Sequence, residues 1–216
     1  MKRTILVATT NPGKAMELQA SLGLGMDVQW LTLSDLPGLP VVEEDGKSFA
    51  ENARKKACQY AKASGLWTLS DDSGLEVDAL GGLPGVRSAR FADLAGPDRK
   101  AIDLANCQKV LDLLKDVPWD RRTARFVCHV CLASPDGVLA EASGSMDGLI
   151  ALGPSGTNGF GYDPIFFVPE LNCTVAQLTS QQKVAISHRG KAIRALMPTL
   201  YALVYGEVDS RPASDV

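Results

Sequence analysis

The chain has 216 residues, 45% of them hydrophobic, with five cysteines, two histidines and a formal net charge of −3. That is enough apolar material for a core without disulfide staples, in one domain or two tightly joined lobes. The acidic balance excludes a broad nucleic-acid face, which needs a basic surface, and no run approaches the roughly 20 consecutive apolar residues of a membrane span. Met1-Lys2-Arg3-Thr4-Ile5 leads straight into a strand-like run with no apolar signal region. An odd number of irregularly spaced cysteines fits free thiols in a reducing compartment, so a cytoplasmic protein is expected, with no membrane or polymeric nucleic acid among its partners.

The elements read in chain order as alternating strands and helices. Ile5 to Thr9 is a β-branched apolar run, and Asn11-Pro12 supplies a cap residue and a proline for the first helical position. Ala15, Leu18 and Leu22 then recur at helical spacing until Gly23. Val28 to Leu33 predicts a second strand, and Ser48-Phe49-Ala50-Glu51 a capping box that opens a helix to about Gly65. An acidic strand-turn follows at Ser70 to Gly85. Pro97-Asp98 begins a helix with Ile102, Ala105, Val110, Leu113 and Leu114 on its apolar side, ending near Pro118. Thr123 to Ala133 and Val138 to Gly144 predict a hairpin across Ser134-Pro135-Asp136-Gly137. A glycine-rich loop precedes a helical pattern from about Gln181 to Tyr205, which Pro198 should kink or split. The tail over 207–216 is polar and without apolar periodicity, and reads as frayed. The expected class is α/β, a mixed sheet with helices packed against it.

Four segments carry chemistry. Ser70 to Gly85 packs Asp71, Asp72, Glu76 and Asp78 among four glycines. Like charges a few ångströms apart oppose each other's ionisation, and a divalent cation removes that conflict. Mg²⁺ takes one or two protein carboxylates and leaves its other positions to water and phosphate. The turn Thr9-Thr10-Asn11-Pro12-Gly13-Lys14 lacks the first glycine and the final hydroxyl of a Walker A loop, yet it opens a helix, and a helix N-terminus holds anions. Lys14 in that first turn opposes the helix dipole, so it is either an anion ligand or a tolerated surface lysine. Ser155 to Phe167 sets three glycines around Phe160, Tyr162 and Asp163, a loop that lets backbone approach a planar ligand while an aromatic ring stacks on a base and Asp163 accepts from its edge. Lys183 to Lys191 clusters cations beside His188, with Lys183, Ser187 and Lys191 on one helical face. Cys128-His129-Val130-Cys131 has metal-ligand spacing, but residues three apart on a strand face opposite ways and no second Cys/His pair lies near, so these read as structural cysteines.

Thr10-Asn11 leading to Lys14 and Glu17, then Ser70-Asp71-Asp72-Ser73-Gly74-Leu75, Gly159-Phe160-Gly161-Tyr162-Asp163-Pro164 and Ser187-His188-Arg189-Gly190 together closely resemble the inosine/xanthosine triphosphate pyrophosphatases, over about residues 3 to 205 and in that family's order. The resemblance implies Mg²⁺-dependent hydrolysis of ITP, dITP and XTP to monophosphate and pyrophosphate. It also implies an elongated mixed sheet in a two-lobed unit over 1–206, a cleft between the lobes, and a homodimer. By position, Thr9, Thr10, Asn11, Pro12, Gly13 and Lys14 would hold the triphosphate, with Lys14 also catalytic, and Asp72 would be the general base or its metal-linked equivalent. Ser73 would contact substrate, and Phe160, Gly161, Tyr162, Asp163, Lys183, His188 and Arg189 would bind the nucleotide. Glu43 matches the second acidic metal position beside Asp72, with Glu44 the adjacent alternative. Thr10 departs from the pattern, since many relatives carry glycine there. A non-hydrolytic nucleotide sensor and a pyrophosphatase for other modified nucleotides are the alternative functions.

Overall fold

The alternation of apolar runs and amphipathic segments resolves into one seven-stranded mixed sheet with helices on both sides, an α/β fold. The computed structural model describes residues 2–22 and 26–206; Gly23, expected to stop the first helix, and the tail 207–216 lie outside the described residues. The strands are β1 (Arg3–Val7), β2 (Val28–Thr32), β3 (Trp67–Val77), β4 (Thr123–Ser134), β5 (Gly137–Ile150), β6 (Phe166–Val168) and β7 (Cys173–Thr174), in spatial order β2-β1-β3-β4-β5-β6-β7. The pairs β1–β2 and β1–β3 are parallel and the rest antiparallel. The helices are α1 (Pro12–Leu22), α2 (Phe49–Ser64), α3 (Arg99–Leu113), α4 (Ser180–Ile186) and α5 (His188–Tyr205). None of the helices among the described residues is long and apolar enough to cross a membrane.

Strand β1 is covered on both faces, which is why it is apolar without alternation. Ile5 and Val7 pack with Leu18 and Leu22 of α1 and with Ile193, Leu196 and Leu200 of α5. Leu6 points the other way, towards Tyr60 of α2. A separate apolar cluster fills the far end of the sheet, where Val110 and Leu114 meet Phe126, Ile150 and Phe166. Cys128 belongs to the α1/α5 side and Cys131 to the α2 side, as their odd spacing requires, and burial pushes both thiols up to about 12.

Several elements differ from the sequence reading. The acidic run is strand rather than turn: Asp71 and Asp72 lie mid-β3, opposite Val130 and His129 of β4. Strand β5 continues past Gly144 to Ile150, because pairing with β4 overrides the weak strand preference of Ser143-Gly144-Ser145. Helix α3 ends at Leu113 rather than near Pro118. The Ser48 cap accepts from Glu51 N–H, but Glu51 reaches the Lys47 N–H, so the reciprocal capping box is not closed. Pro198 stays inside α5, exposed where the freed carbonyl can meet water. The break falls instead at Ser187, whose extended backbone ends α4 and whose hydroxyl accepts from Gly190 N–H to cap α5.

Helix α5 approaches β5 at Gly144, where a Cβ would lie 2.3 Å from the His188 carbonyl oxygen and 2.5 Å from Ala192 N. Both obstacles are backbone and cannot rotate away. Gly144→Ala should therefore cost about 1–3 kcal/mol through overpacking, read as a lower midpoint in urea unfolding; an unchanged midpoint would mean that α5 is not held this closely.

Candidate active site

The turn after β1 is organised by its own side chains. Thr9 Oγ1 accepts from Asn11 N–H, and Asn11 Oδ1 accepts from the N–H groups of Gly13 (2.9 Å) and Lys14 (3.3 Å), so Asn11 caps α1 with exposed Pro12 at its first position. Lys14 is mostly enclosed rather than extended into solvent. Its ammonium folds back to 3.2 Å from Asp71 and 3.8 Å from Asp72, which excludes the surface-lysine reading.

Neighbouring strand residues face opposite ways, and the two aspartates have separate environments. Asp71 is fully buried, taking Arg189 Nε at 3.1 Å beside Lys14, while its carbonyl accepts from Lys56 Nζ at 2.5 Å. Burial alone would raise its pKa; Lys14, Arg189 and Lys56 together hold it well below the usual carboxylate range. Asp72 accepts from Asn52 Nδ2 (2.9 Å) and from Ser73 N–H (2.9 Å). Burial pushes its carboxyl up, Lys14 and Lys56 pull it back, and the charge of Glu44 adds to the push.

Arg189 also donates to Ser73 Oγ at 2.7 Å and pairs with Glu17, and Asp71 beside it keeps the buried guanidinium protonated. Lys183 bridges Glu17 (2.6 Å) and Asp163 (2.5 Å), with its ammonium 4.4 Å from the centre of the Phe160 ring. That ring packs on Gly13, where a Cβ would meet it at 2.4 Å. His188 is buried and stacked on Phe126, 4.9 Å between centroids. Burial, then Arg189 and Lys183, hold it well below its ordinary pKa, so it is neutral, and its Nδ1 has no partner among the described residues.

The cleft collects Thr9, Thr10, Asn11, Lys14, Asp72, Ser73, Phe160 to Asp163, Lys183, His188 and Arg189, whereas Pro12 and Gly13 lie behind it. Three placements differ from the sequence reading. Glu43 is exposed and outside the cleft, while Glu44 lines it, turned inward by Lys56 at 2.8 Å. Tyr162 is a core residue donating to the Ser88 carbonyl (2.8 Å), which leaves Phe160 as the half-buried ring. Asp163 keeps its place on the cleft, anchored through Oδ2, which accepts from Phe160 N–H and Lys183. Lys183, Ser187 and Lys191 do not share a face, because the helix breaks at Ser187 and Lys191 turns to the Ser145 carbonyl.

Asn52 and Lys56 on α2, and Asp103 on α3, were not singled out from sequence. Asn52 and Lys56 interrupt an otherwise apolar stripe of Phe49, Ala53, Ala57 and Tyr60, and polar residues one turn apart on a buried face were the available signal. Asp103 Oδ2 accepts from Gly161 N–H (2.8 Å) and Cys107 Sγ donates to Gly161 O (3.3 Å), so α3 holds both sides of that residue. A divalent cation fits the donors present: Asp72 and Glu44 offer hard oxygens at one cleft, and the charge of Glu44 disfavours that of Asp72. Among the described residues no three His, Cys, Asp or Glu side chains form a ready cage, which matches an ion that keeps few protein ligands.

These features define an α/β protein with a charged cleft lined from several elements. The chain belongs to the Ham1 family, whose model matches residues 5–199. It is 52% identical over 91% of its length, and 96% of the relative's, to the dITP/XTP pyrophosphatase of Exiguobacterium sibiricum. A HAM1 protein from Coxiella burnetii superposes with a TM-score of 0.81 at 39% identity, covering 92% of this chain and 98% of that one. The Staphylococcus aureus Ham1 protein superposes at 0.80 with 41% identity, covering 93% and 100%.

Asp71→Asn should destabilise the protein by about 3–5 kcal/mol at pH 7, because Arg189 and Lys14 lose the buried anion they share and Glu17 alone is left facing Arg189. The Asp71 pKa is depressed by folding, so its contribution is full above the unfolded value of about 4 and is lost progressively as pH falls from there through the lower folded value. Urea unfolding across pH 7 to 3 should show the gap between wild type and variant narrowing towards acid; a constant gap would contradict the assignment.

Proposed function

We propose that this chain hydrolyses the purine nucleoside triphosphates ITP, dITP and XTP to monophosphate and pyrophosphate, with Mg²⁺, as a cytoplasmic homodimer. The observation that carries the reading is Lys14: it springs from the helix turn suited to phosphate and ends on the Asp71–Asp72 pair, so anion-holding and carboxylate chemistry meet at one point. The names of the relatives, dITP/XTP pyrophosphatase, point the same way.

In this mechanism Asp72 orients the attacking water and takes its proton. Lys14, beside Asp72, would offset charge developing on the leaving pyrophosphate. Asp72 and Glu44 would hold Mg²⁺, which when bound supplies positive charge to the phosphate oxygens. Arg189 and Lys183 lie beside Phe160, which would meet the purine, and Ser73 is oriented by Arg189. Recognition of a 6-keto group leaves a buried donor facing the 6-amino group of ATP, and buried polar sites make that mismatch costly.

The test is product analysis with Mg²⁺ and, separately, ITP, dITP, XTP, ATP, GTP, dUTP and dTTP. Pyrophosphate and monophosphate from the first three, with little from the others, is the expected result. Orthophosphate would place the attack at a different phosphorus, and no release from any would favour a nucleotide sensor. Asp72→Asn should lower kcat by about 10²–10⁴-fold while unfolding cooperatively; near-normal turnover would remove Asp72 from the role. A monomer in analytical ultracentrifugation would end the dimer proposal.

A further inference from the structure

Asn52 is almost completely buried, 1% exposed, on the face of α2 that meets the sheet. A buried amide has to place four hydrogen-bonding positions, and here both ends are engaged. Its Oδ1 accepts from the Gly46 N–H at 2.7 Å, and its Nδ2 donates to Asp72 Oδ2 at 2.9 Å. The orientation is fixed by chemistry, since the Gly46 N–H can only donate and must face the amide oxygen, which turns the NH₂ to the carboxylate. Gly46 follows Glu44 by two residues, and a Cβ at Gly46 would lie 2.6 Å from Asn52 Oδ1. One rigid planar group therefore joins the strand carrying Asp72 to the segment carrying Glu44.

The choice of an amide is informative. A lysine or arginine in this place would also bind Asp72, but it would neutralise the carboxylate and repel a cation. Lys56, one turn further along α2, already supplies charge by bridging Glu44 and the Asp71 carbonyl. Asn52 adds direction without charge, occupying one side of Asp72 Oδ2 and leaving the carboxylate anionic. A residue needed only to satisfy the Gly46 N–H would not have to donate to Asp72.

We infer that Asn52 is a positioning residue for a divalent-cation site, setting the separation and orientation of Asp72 and Glu44 so that both can serve one cation. The inference rests on the Mg²⁺-dependent reading of the cleft. Partners that orient metal-bound carboxylates matter because a ligand free to rotate loses affinity, typically 10–100-fold on mutation.

The test compares wild type, Asn52→Leu and Gly46→Ala. Leucine is of similar size and lacks both bonds; alanine at Gly46 leaves Asn52 in place but displaces its oxygen end. Thermal unfolding in EDTA verifies that each variant folds. Mn²⁺ binding to the nucleotide-free protein is followed by electron paramagnetic resonance, and the Mg²⁺ concentration for half-maximal pyrophosphate release from ITP is measured alongside. The expected result is a Kd for Mn²⁺ raised about 10–100-fold in Asn52→Leu and raised in Gly46→Ala. Half-activation by Mg²⁺ should shift the same way, with KM for ITP at saturating Mg²⁺ within about twofold of wild type. If Asn52→Leu misfolds, Gly46→Ala decides. Folded variants with wild-type Mn²⁺ affinity and wild-type Mg²⁺ activation would overturn the role of Asn52. Wild-type turnover that persists in EDTA would instead overturn the metal reading on which the role rests.

Discussion

The arrangement depends on a buried ionic network centred on Arg189 and Asp71. Arg189, Lys183 and Lys14 face Asp71, Glu17 and Asp163, so three cations and three anions balance within the interior. The six residues come from α1, β3, the segment before β6, α4 and α5, elements far apart in sequence. Removing one charge strands its partners, whereas replacing the whole set with hydrophobic residues would cost little stability. A network of this kind is therefore better explained by what it positions than by what it stabilises. It brings the helix turn of Lys14, the β3 carboxylates and the Phe160 segment to one cleft.

Strand alternation gives the two aspartates separate duties. Asp71 is held ionised by three cations and is enclosed, so it serves as an anchor for Lys14 and Arg189. Asp72 faces the cleft, with its charge favoured less and its contacts provided by neutral donors as well as Lys14. Adjacent acids that would repel in an exposed turn are separated here because β3 is a strand. The same geometry explains why the break between α4 and α5 matters: at Ser187 the chain changes direction, so Lys183 and Arg189 enter the network from two helices rather than one.

How much was legible in the sequence follows from whether a feature is local. Asn11-Pro12 announced the start of α1, and Lys14, misplaced for the helix dipole, announced an anion nearby; both are decided within one turn. Which of Glu43 and Glu44 faces the cleft depends on Lys56, reaching across from a different element. Tyr162 and Phe160 look equivalent in sequence, and only the Ser88 carbonyl, 74 positions away along the chain, draws the tyrosine into the core. The expected kink at Pro198 lost to Ser187 because a capping serine with extended backbone ends a helix outright, while an exposed proline only removes one bond. Asn52 was silent because its meaning lies in Asp72 and Gly46, on two other segments.

The two walls of the cleft are fixed by different forces. On the α1 and α5 side the contacts are ionic, among Lys14, Asp71, Arg189, Glu17 and Lys183. On the α3 side the Phe160–Asp163 segment is held largely by hydrogen bonds: Asp103 to Gly161 N–H, Cys107 to Gly161 O, and Tyr162 to Ser88. Ionic contacts respond to the arrival or departure of another charge, so the first wall is suited to a substrate whose charge changes during reaction. The second wall is suited to a planar group whose shape does not change. Lys183 joins them, sharing Glu17 with one wall and Asp163 with the other. The ionic wall and the Phe160 segment therefore share one cation, so neither can be repositioned without disturbing a contact of the other.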